Sequence, residues 1–131
     1  MKNCFIFIKR LLSVILDFLV ILCIIFLLLN LFGVHPFIVQ TGSMEPSMPQ
    51  GSLCFIDTKY NFTYIKNGDV IVYEATDNIW VTHRVIEKDG LYALTKGDAN
   101  PTDDGFKANV WNFKGKVLFS LPLLNYRACF F

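Results

Sequence analysis

Between Leu11 and Phe32 the chain runs LLSVILDFLVILCIIFLLLNLF, with Asp17 its only charged residue. That is about the 20 residues needed to cross a hydrocarbon core of roughly 30 Å. Lys2, Lys9 and Arg10 precede the run and would suit the basic end of a secretory signal peptide. The run, however, exceeds the usual apolar region of about 7–15 residues, and no A-x-A-like cleavage site follows it. The expectation is an uncleaved anchor over residues 11–33. Basic residues stand before the span, and the next is Lys59, far beyond it. The positive-inside rule then leaves residues 1–10 in the cytoplasm and sends residues 34–131 across the membrane. Asp17 is expected in the cytoplasmic third, one turn from Ser13 and two from Arg10, rather than in a functional role.

Beyond the anchor the apolar pattern shortens to runs of period two. Strands are expected at Phe37–Thr41, Leu53–Asp57, Asp69–Glu74, Ile79–Glu87, Leu91–Thr95 and Gly115–Ser120. Turn signals separate several of them: Asn67-Gly68-Asp69, Lys88-Asp89-Gly90 and Asp103-Asp104-Gly105. No sustained helical period appears after Phe32, so the exported part reads as one mainly β domain. The end of the chain, VLFSLPLLNYRACFF, is broken by Pro122 and carries Arg127. It is too short and interrupted for a second span, and either completes the β-domain or lies in the membrane surface.

Twelve basic residues against eleven acidic ones leave a net charge of +1. No basic stripe interleaves with aromatics, which argues against nucleic acid as a partner. The cysteines, Cys4, Cys23, Cys54 and Cys129, show no CxxC spacing. The pattern thus calls for no metal, haem or other cofactor. Only Cys54 and Cys129 lie on the exported side.

Soon after the greasy run comes QTGSMEPSMPQGS, residues 40–52, rich in serine, glycine, proline and methionine. Prolines remove backbone donors and glycines relax the chain, so this is a shaped loop offering hydroxyls. His83 lies in IWVTHRVIE, where strand alternation puts Ile79, Val81, His83 and Val85 on one face. A histidine flanked by valines is partly desolvated, which favours the neutral imidazole a general base needs. Taken alone, it is more simply a core histidine bonded to a backbone carbonyl. His35, in VHPF, reads as an exit marker from the bilayer. Further on, LTKGDANPTDDG at residues 94–105 offers Asp98, Asp103 and Asp104, each of which alone is ordinary turn chemistry. A hydroxyl loop, a strand histidine and a carboxylate loop together are the ingredients of a Ser-His-Asp triad.

TGSMEP, then THRV, then TKGDANPTDD, in this order behind an N-terminal span, resemble the motifs of type I signal peptidases. The closer resemblance is to the branch found in the endoplasmic reticulum, in archaea and in some Gram-positive bacteria. The common bacterial branch carries a lysine base where this chain has His83. The resemblance implies a β-core of coiled sheets like that of the signal peptidases and SOS repressors, behind one transmembrane helix. It implies a serine endopeptidase that removes signal peptides from exported pre-proteins after small residues at −1 and −3. Ser43 would be the nucleophile, His83 the base and Asp104 the carboxylate orienting it, with Asp98 a second acidic residue of the site and Asp103 the substitute for Asp104. Thr41, where many relatives place serine, would assist the Ser43 N–H in binding the oxyanion, with Gly42 and Met44 beside it. This chain departs from the family again at Ser52, where relatives usually have aspartate.

On that resemblance Pro46 and Pro49 stiffen the nucleophile loop, and Met44 and Met48 suit a site beside lipid. Partners would be pre-proteins and the bilayer, with membership of a secretion complex left open. The catalytic domain would sit on the extracytoplasmic or lumenal face, a cell membrane being favoured over the endoplasmic reticulum. The competing readings are a catalytically silent membrane-anchored interaction module, a self-processing protease on the same fold, and a lysine mechanism using Lys96.

Overall fold

The computed structural model describes residues 2–122, with side chains from Ile6 onward. Of the end of the chain, residues 117–121 lie in the last strand of the sheet, while the chain after Pro122, including Arg127 and Cys129, lies outside the described residues. Two compact units succeed one another, Met1–Phe32 and Gly33–Phe131.

The first unit is one helix, α1 (Lys2–Leu31). Ile6–Leu31 is long and apolar enough to cross a membrane. Its large side chains are exposed at consecutive positions, Leu11 and Leu12, Val14 to Leu16, Phe18 to Leu22, Ile24 to Leu28. A helix that is apolar all round has no polar face to give to water, so its natural solvent is hydrocarbon. Asn30 does not break this pattern, because its Nδ2 donates to the Phe26 carbonyl at 2.7 Å. Gly33, with φ +81°, takes the left-handed conformation that commonly ends a helix.

Among the described residues the second unit is an antiparallel sheet of seven strands in the order β1-β2-β7-β3-β4-β5-β6. They are β1 (Val34–Ile38), β2 (Leu53–Asp57), β3 (Val70–Thr76), β4 (Ile79–Asp89), β5 (Tyr92–Lys96), β6 (Ala108–Asn109) and β7 (Phe113–Leu121). Register irregularities at Phe55/Ile56, Val72/Tyr73, Glu74/Thr76 and Val85/Glu87 bend and twist the sheet.

The first strand lies earlier than the pattern indicates. His35 and Pro36 belong to it, opposite Ile56 and Phe55. Proline is tolerated there because β1 is an edge strand, where a missing donor costs no ladder bond. His35 is therefore a strand residue. The strand expected to run to Thr41 stops at Ile38, after which Val39 donates to Ser52 and accepts from Gly51. Two short elements escape the sequence pattern: β6, and a 3-10 turn at Phe62–Tyr64 capped by the Asn61 side chain. Neither is long enough to show a period.

The core has two parts. Phe62, Ile65, Ile71, Tyr73, Val85, Ala93 and Ala108 form one. Val39, Met44, Met48 and Cys54 form the other. The placement of Met44 and Met48 beside lipid is thereby corrected: only 1% and 4% exposed, they fill the interior beneath their own loop. Cys54 Sγ lies 3.7 Å from Met48 Sδ, and burial pushes its thiol up to about 11, so it is an inert core residue.

Candidate active site

The loop after β1 is held from below and from the side. Below it, Met44 and Met48 are the plugs just described. Within it, Glu45 N–H donates to the Gly42 carbonyl at 3.0 Å and Met48 N–H to the Met44 carbonyl at 2.8 Å. Pro46 follows a cis peptide bond. Ser52 is buried and its hydroxyl donates to the Pro49 carbonyl at 2.6 Å, so it closes the loop. To one side, the Ser43 carbonyl accepts the Ala99 N–H at 2.9 Å. A Cβ on Gly97 would sit 2.6 Å from that same oxygen, so the absence of a side chain there lets the two loops meet. Ser43 is thus carried on a rigid mount, partly exposed.

His83 reaches this serine from the centre of β4. It stands opposite Ile71 of β3 and is 6% exposed. Its Nε2 lies 3.2 Å from Ser43 Oγ, and its Nδ1 lies 2.5 Å from Asp104 Oδ2. A carboxylate can only accept, so Nδ1 is the donor to Asp104, and in the neutral imidazole Nε2 then keeps its lone pair toward the serine hydroxyl. That is the tautomer required to remove a proton from Ser43. Thr41 Oγ1 is 3.3 Å from Ser43 Oγ. His83 and Thr41 are the side chains within hydrogen-bond reach of that oxygen among the described residues; Lys96, opposite Arg84 on β5, is not one of them.

The three aspartates separate cleanly. Asp104 N–H donates to the Thr95 carbonyl at 2.8 Å, which brings its carboxylate under His83. Asp103 is exposed and its Oδ1 accepts the Gly105 N–H at 3.0 Å, an ordinary turn contact. Asp98 does not bond His83: both its oxygens are taken by Arg84, from Nε at 2.8 Å and Nη2 at 2.7 Å. The hydrogen bonds from Arg84 hold the Asp98 carboxyl below the ordinary carboxylate range. Arg84 also donates to the Gly68 carbonyl at 2.9 Å and lies 3.4 Å from Ser47 Oγ. Asp98 and Arg84 therefore tie the carboxylate loop, β4 and the far end of the serine loop together.

Two further side chains touch Asp104: Thr95, which opens the third motif without a role assigned to it, and Tyr73, which lies in none of the motifs. Thr95 Oγ1 donates to its Oδ2 at 2.8 Å, and the Tyr73 hydroxyl lies 3.3 Å from the same oxygen. For Tyr73 period two was the only available signal, since it puts Tyr73 on the face of Ile71, opposite His83.

Beside Ser43 opens a cleft of about 800 Å³. Residues Phe37 to Thr41 form one side, Ile79 to His83 the other, with Val72, Met44 and Asn100 between them. β5 begins to pair with β4 only at Arg84, so Ile79–His83 bond β3 along one edge and, among the described residues, leave the other without a strand partner. An unpaired strand edge on an apolar cleft suits an extended peptide. Among the described residues no group of His, Cys, Asp or Glu gathers that could hold a metal ion.

Comparison with known proteins adds family to geometry. A family model described as signal peptidase, peptidase S26, matches residues 11–94. The signal peptidase complex catalytic subunit SEC11 of Clavispora lusitaniae is 37% identical over 102 residues, covering 68% of this chain and 60% of that protein. The SEC11 subunit of Colletotrichum graminicola is 33% identical over 101 residues, 68% of this chain and 59% of the relative. That of Verticillium alfalfae is 39% identical over 72 residues, 51% and 42% of the two chains. The chain spans about 60% of the length of the first of these relatives. The family match includes Ser43 and His83 and ends before the carboxylate loop. An N-terminal apolar helix, a β-core and both matched motif regions lead to one conclusion: this chain belongs to the type I signal peptidases, family S26, on the branch that includes the endoplasmic-reticulum members.

Proposed function

We propose that this chain is a membrane-bound serine endopeptidase that removes signal peptides from exported pre-proteins, with Ser43, His83 and Asp104 as its catalytic unit. The observation that carries the proposal is His83 lying between Ser43 Oγ and Asp104 Oδ2, at 3.2 Å and 2.5 Å, beside an apolar cleft. The substrate enters extended along the free edge of β4, its alternate side chains pointing into the cleft. As Ser43 Oγ attacks the scissile carbonyl, His83 Nε2 takes the hydroxyl proton, and Asp104 stabilises the imidazolium that forms. The Ser43 N–H and the Thr41 hydroxyl receive the developing oxyanion, a donor of this kind being worth about 2.7–4 kcal/mol. Gly42 keeps the approach to that carbonyl open. His83 then returns the proton to the leaving amine, and a water repeats the cycle on the acyl-enzyme.

A preference for small residues at −1 and −3 follows from the shallowness expected of pockets between two strand walls. Asp98 serves the site by clamping Arg84. In this reading α1 spans the membrane with residues 1–10 in the cytoplasm, and residues 34–131 work on the other face, where signal peptides emerge from lipid. The matched relatives are named as catalytic subunits of a signal peptidase complex, so companion subunits are a natural extension to this chain. The expectation of a cell membrane over the endoplasmic reticulum draws no support from those relatives. A reporter peptide bearing Ala-x-Ala, incubated with the full chain in detergent, should be cut after the second alanine by the wild type and left intact by Ser43→Ala. Cleavage at undiminished rate by Ser43→Ala would end the serine reading.

A further inference from the structure

A carboxylate on a loop holds one orientation only if something ties it. For Asp104 three neighbouring strands supply the ties. β3, β4 and β5 are adjacent in the sheet. His83 stands opposite Ile71, two residues before Tyr73, and Thr95 stands opposite Val85, two residues after His83. Side chains two apart share a face of a strand, so Tyr73, His83 and Thr95 project to one interior side, where all three are buried.

There they converge on a single oxygen. Asp104 Oδ2 lies 2.5 Å from His83 Nδ1, 2.8 Å from Thr95 Oγ1 and 3.3 Å from the Tyr73 hydroxyl. The two hydroxyl oxygens are 3.2 Å apart. Each hydroxyl has one proton, so only two of these three hydroxyl contacts are hydrogen bonds at once. If Thr95 donates to Asp104, the shortest contact, Tyr73 donates either to Asp104 or to Thr95 Oγ1. In both cases the pair's protons run toward the carboxylate. Burial pushes the Tyr73 hydroxyl up to about 12, so it keeps its proton and remains a donor.

The cost of placing them there points to a purpose. Tyr73 and Thr95 are 1% and 0% exposed, and Tyr73 packs with Phe62, Ile65, Ile71 and Val85. Phenylalanine and valine would fill the same space without two hydroxyls to satisfy. Neither residue lines the cleft, so neither meets substrate.

We propose that Tyr73 and Thr95 are positioning residues of the peptidase reaction: a hydroxyl clamp that fixes Asp104 Oδ2 against His83 Nδ1 and thereby aims Nε2 at Ser43. The inference rests on the serine-histidine reading above and deepens it. A base displaced by a fraction of an ångström loses alignment with the attacking oxygen while substrate binding is untouched. The effect therefore belongs in kcat and not in KM.

The test uses the full chain in detergent and the Ala-x-Ala reporter, with Thr95→Val, Thr95→Ser and Tyr73→Phe as variants and Ser43→Ala in parallel. Thr95→Val is expected to lower kcat about tenfold with KM unchanged, and Thr95→Ser to restore most of it. Tyr73→Phe, losing the longer contact, should lower kcat about threefold and carries the test if Thr95→Val does not fold. Thermal midpoints measured on the same samples separate loss of folded protein from loss of rate. The clamp is refuted if Thr95→Val and Tyr73→Phe turn over at the wild-type kcat. It is equally refuted if Thr95→Ser is as slow as Thr95→Val, or if kcat falls only with the folded fraction. Those results leave the serine reading standing as long as Ser43→Ala is inactive. Activity in Ser43→Ala would remove that reading, and the clamp with it.

Discussion

Gly97→Ala isolates the mount of Ser43 with one methyl group. Gly97 does not have a positive φ, so alanine brings no backbone strain and the whole effect comes from space. The new Cβ would lie 2.6 Å from the Ser43 carbonyl oxygen and 2.7 Å from Asn100 Nδ2. The Asn100 amide can swing away, but the Ser43 oxygen is backbone. Reaching an ordinary contact of about 3.4 Å requires the two loops to part by about 0.8 Å. That opens the Ala99 N–H to Ser43 carbonyl bond, now 2.9 Å, and carries Ser43 Oγ away from His83 Nε2. Overpacking of this kind costs about 1–3 kcal/mol, and a misplacement near 1 Å costs up to about a hundredfold in rate. We expect kcat to fall about ten- to a hundredfold and the thermal midpoint to drop by several degrees. Gly90→Ala is the control. At φ +54° with nothing within 4 Å, it should cost about 1–2 kcal/mol through the left-handed backbone alone and leave kcat unchanged. If Gly97→Ala cleaves the reporter at the wild-type rate, the loop contact does not position Ser43 and the account of the mount is wrong.

Asp104→Asn should abolish most reporter cleavage, about 10⁴-fold by the precedent of triad carboxylates, while Asp103→Asn stays near wild type; the reverse order would move the orienting role to Asp103. The Ser43→Ala/His83→Ala double variant should be hardly slower than either single one, because members of one catalytic unit are not additive; multiplied losses would mean that they act separately. Asp98→Asn should lower the thermal midpoint at neutral pH. The Asp98 carboxyl is held below its ordinary range by Arg84, so its contribution is full above the unfolded value of about 3.9 and fades as pH falls through the folded one. The gap between variant and wild type should therefore close in acid; a gap that is constant down to about pH 2 would contradict the Arg84 clamp.

The motifs made Ser43 and His83 legible because each sits in a short stretch whose neighbours constrain it: Gly42 and Pro46 around the serine, valines around the histidine. The strands between Leu53 and Lys96 were legible for a similar reason, since a half-buried strand must alternate. β1 was misplaced because its proline would break an interior strand, and only the sheet order reveals that β1 is an edge. The methionines were misread because a flexible apolar side chain suits lipid and core equally well, and the choice depends on what lies beneath the loop. Asp98 carries the same turn chemistry as Asp104, and although alternation turns Arg84 away from His83, only the fold brings that strand residue to Asp98, fourteen positions away.

By itself the sequence determines the long apolar helix, the β character of the chain beyond it and the chemical types available to the site, because these depend on composition and short-range period. Tertiary structure brings Asp104, the aspartate the motif resemblance implied, to His83, and it alone decides that Thr95 and Tyr73 converge on that carboxylate and that Gly97 must be bare where Ser43 rests on the next loop. Each of those facts joins residues far apart in the chain through strand register and close packing, and such contacts exist only once the sheet has formed.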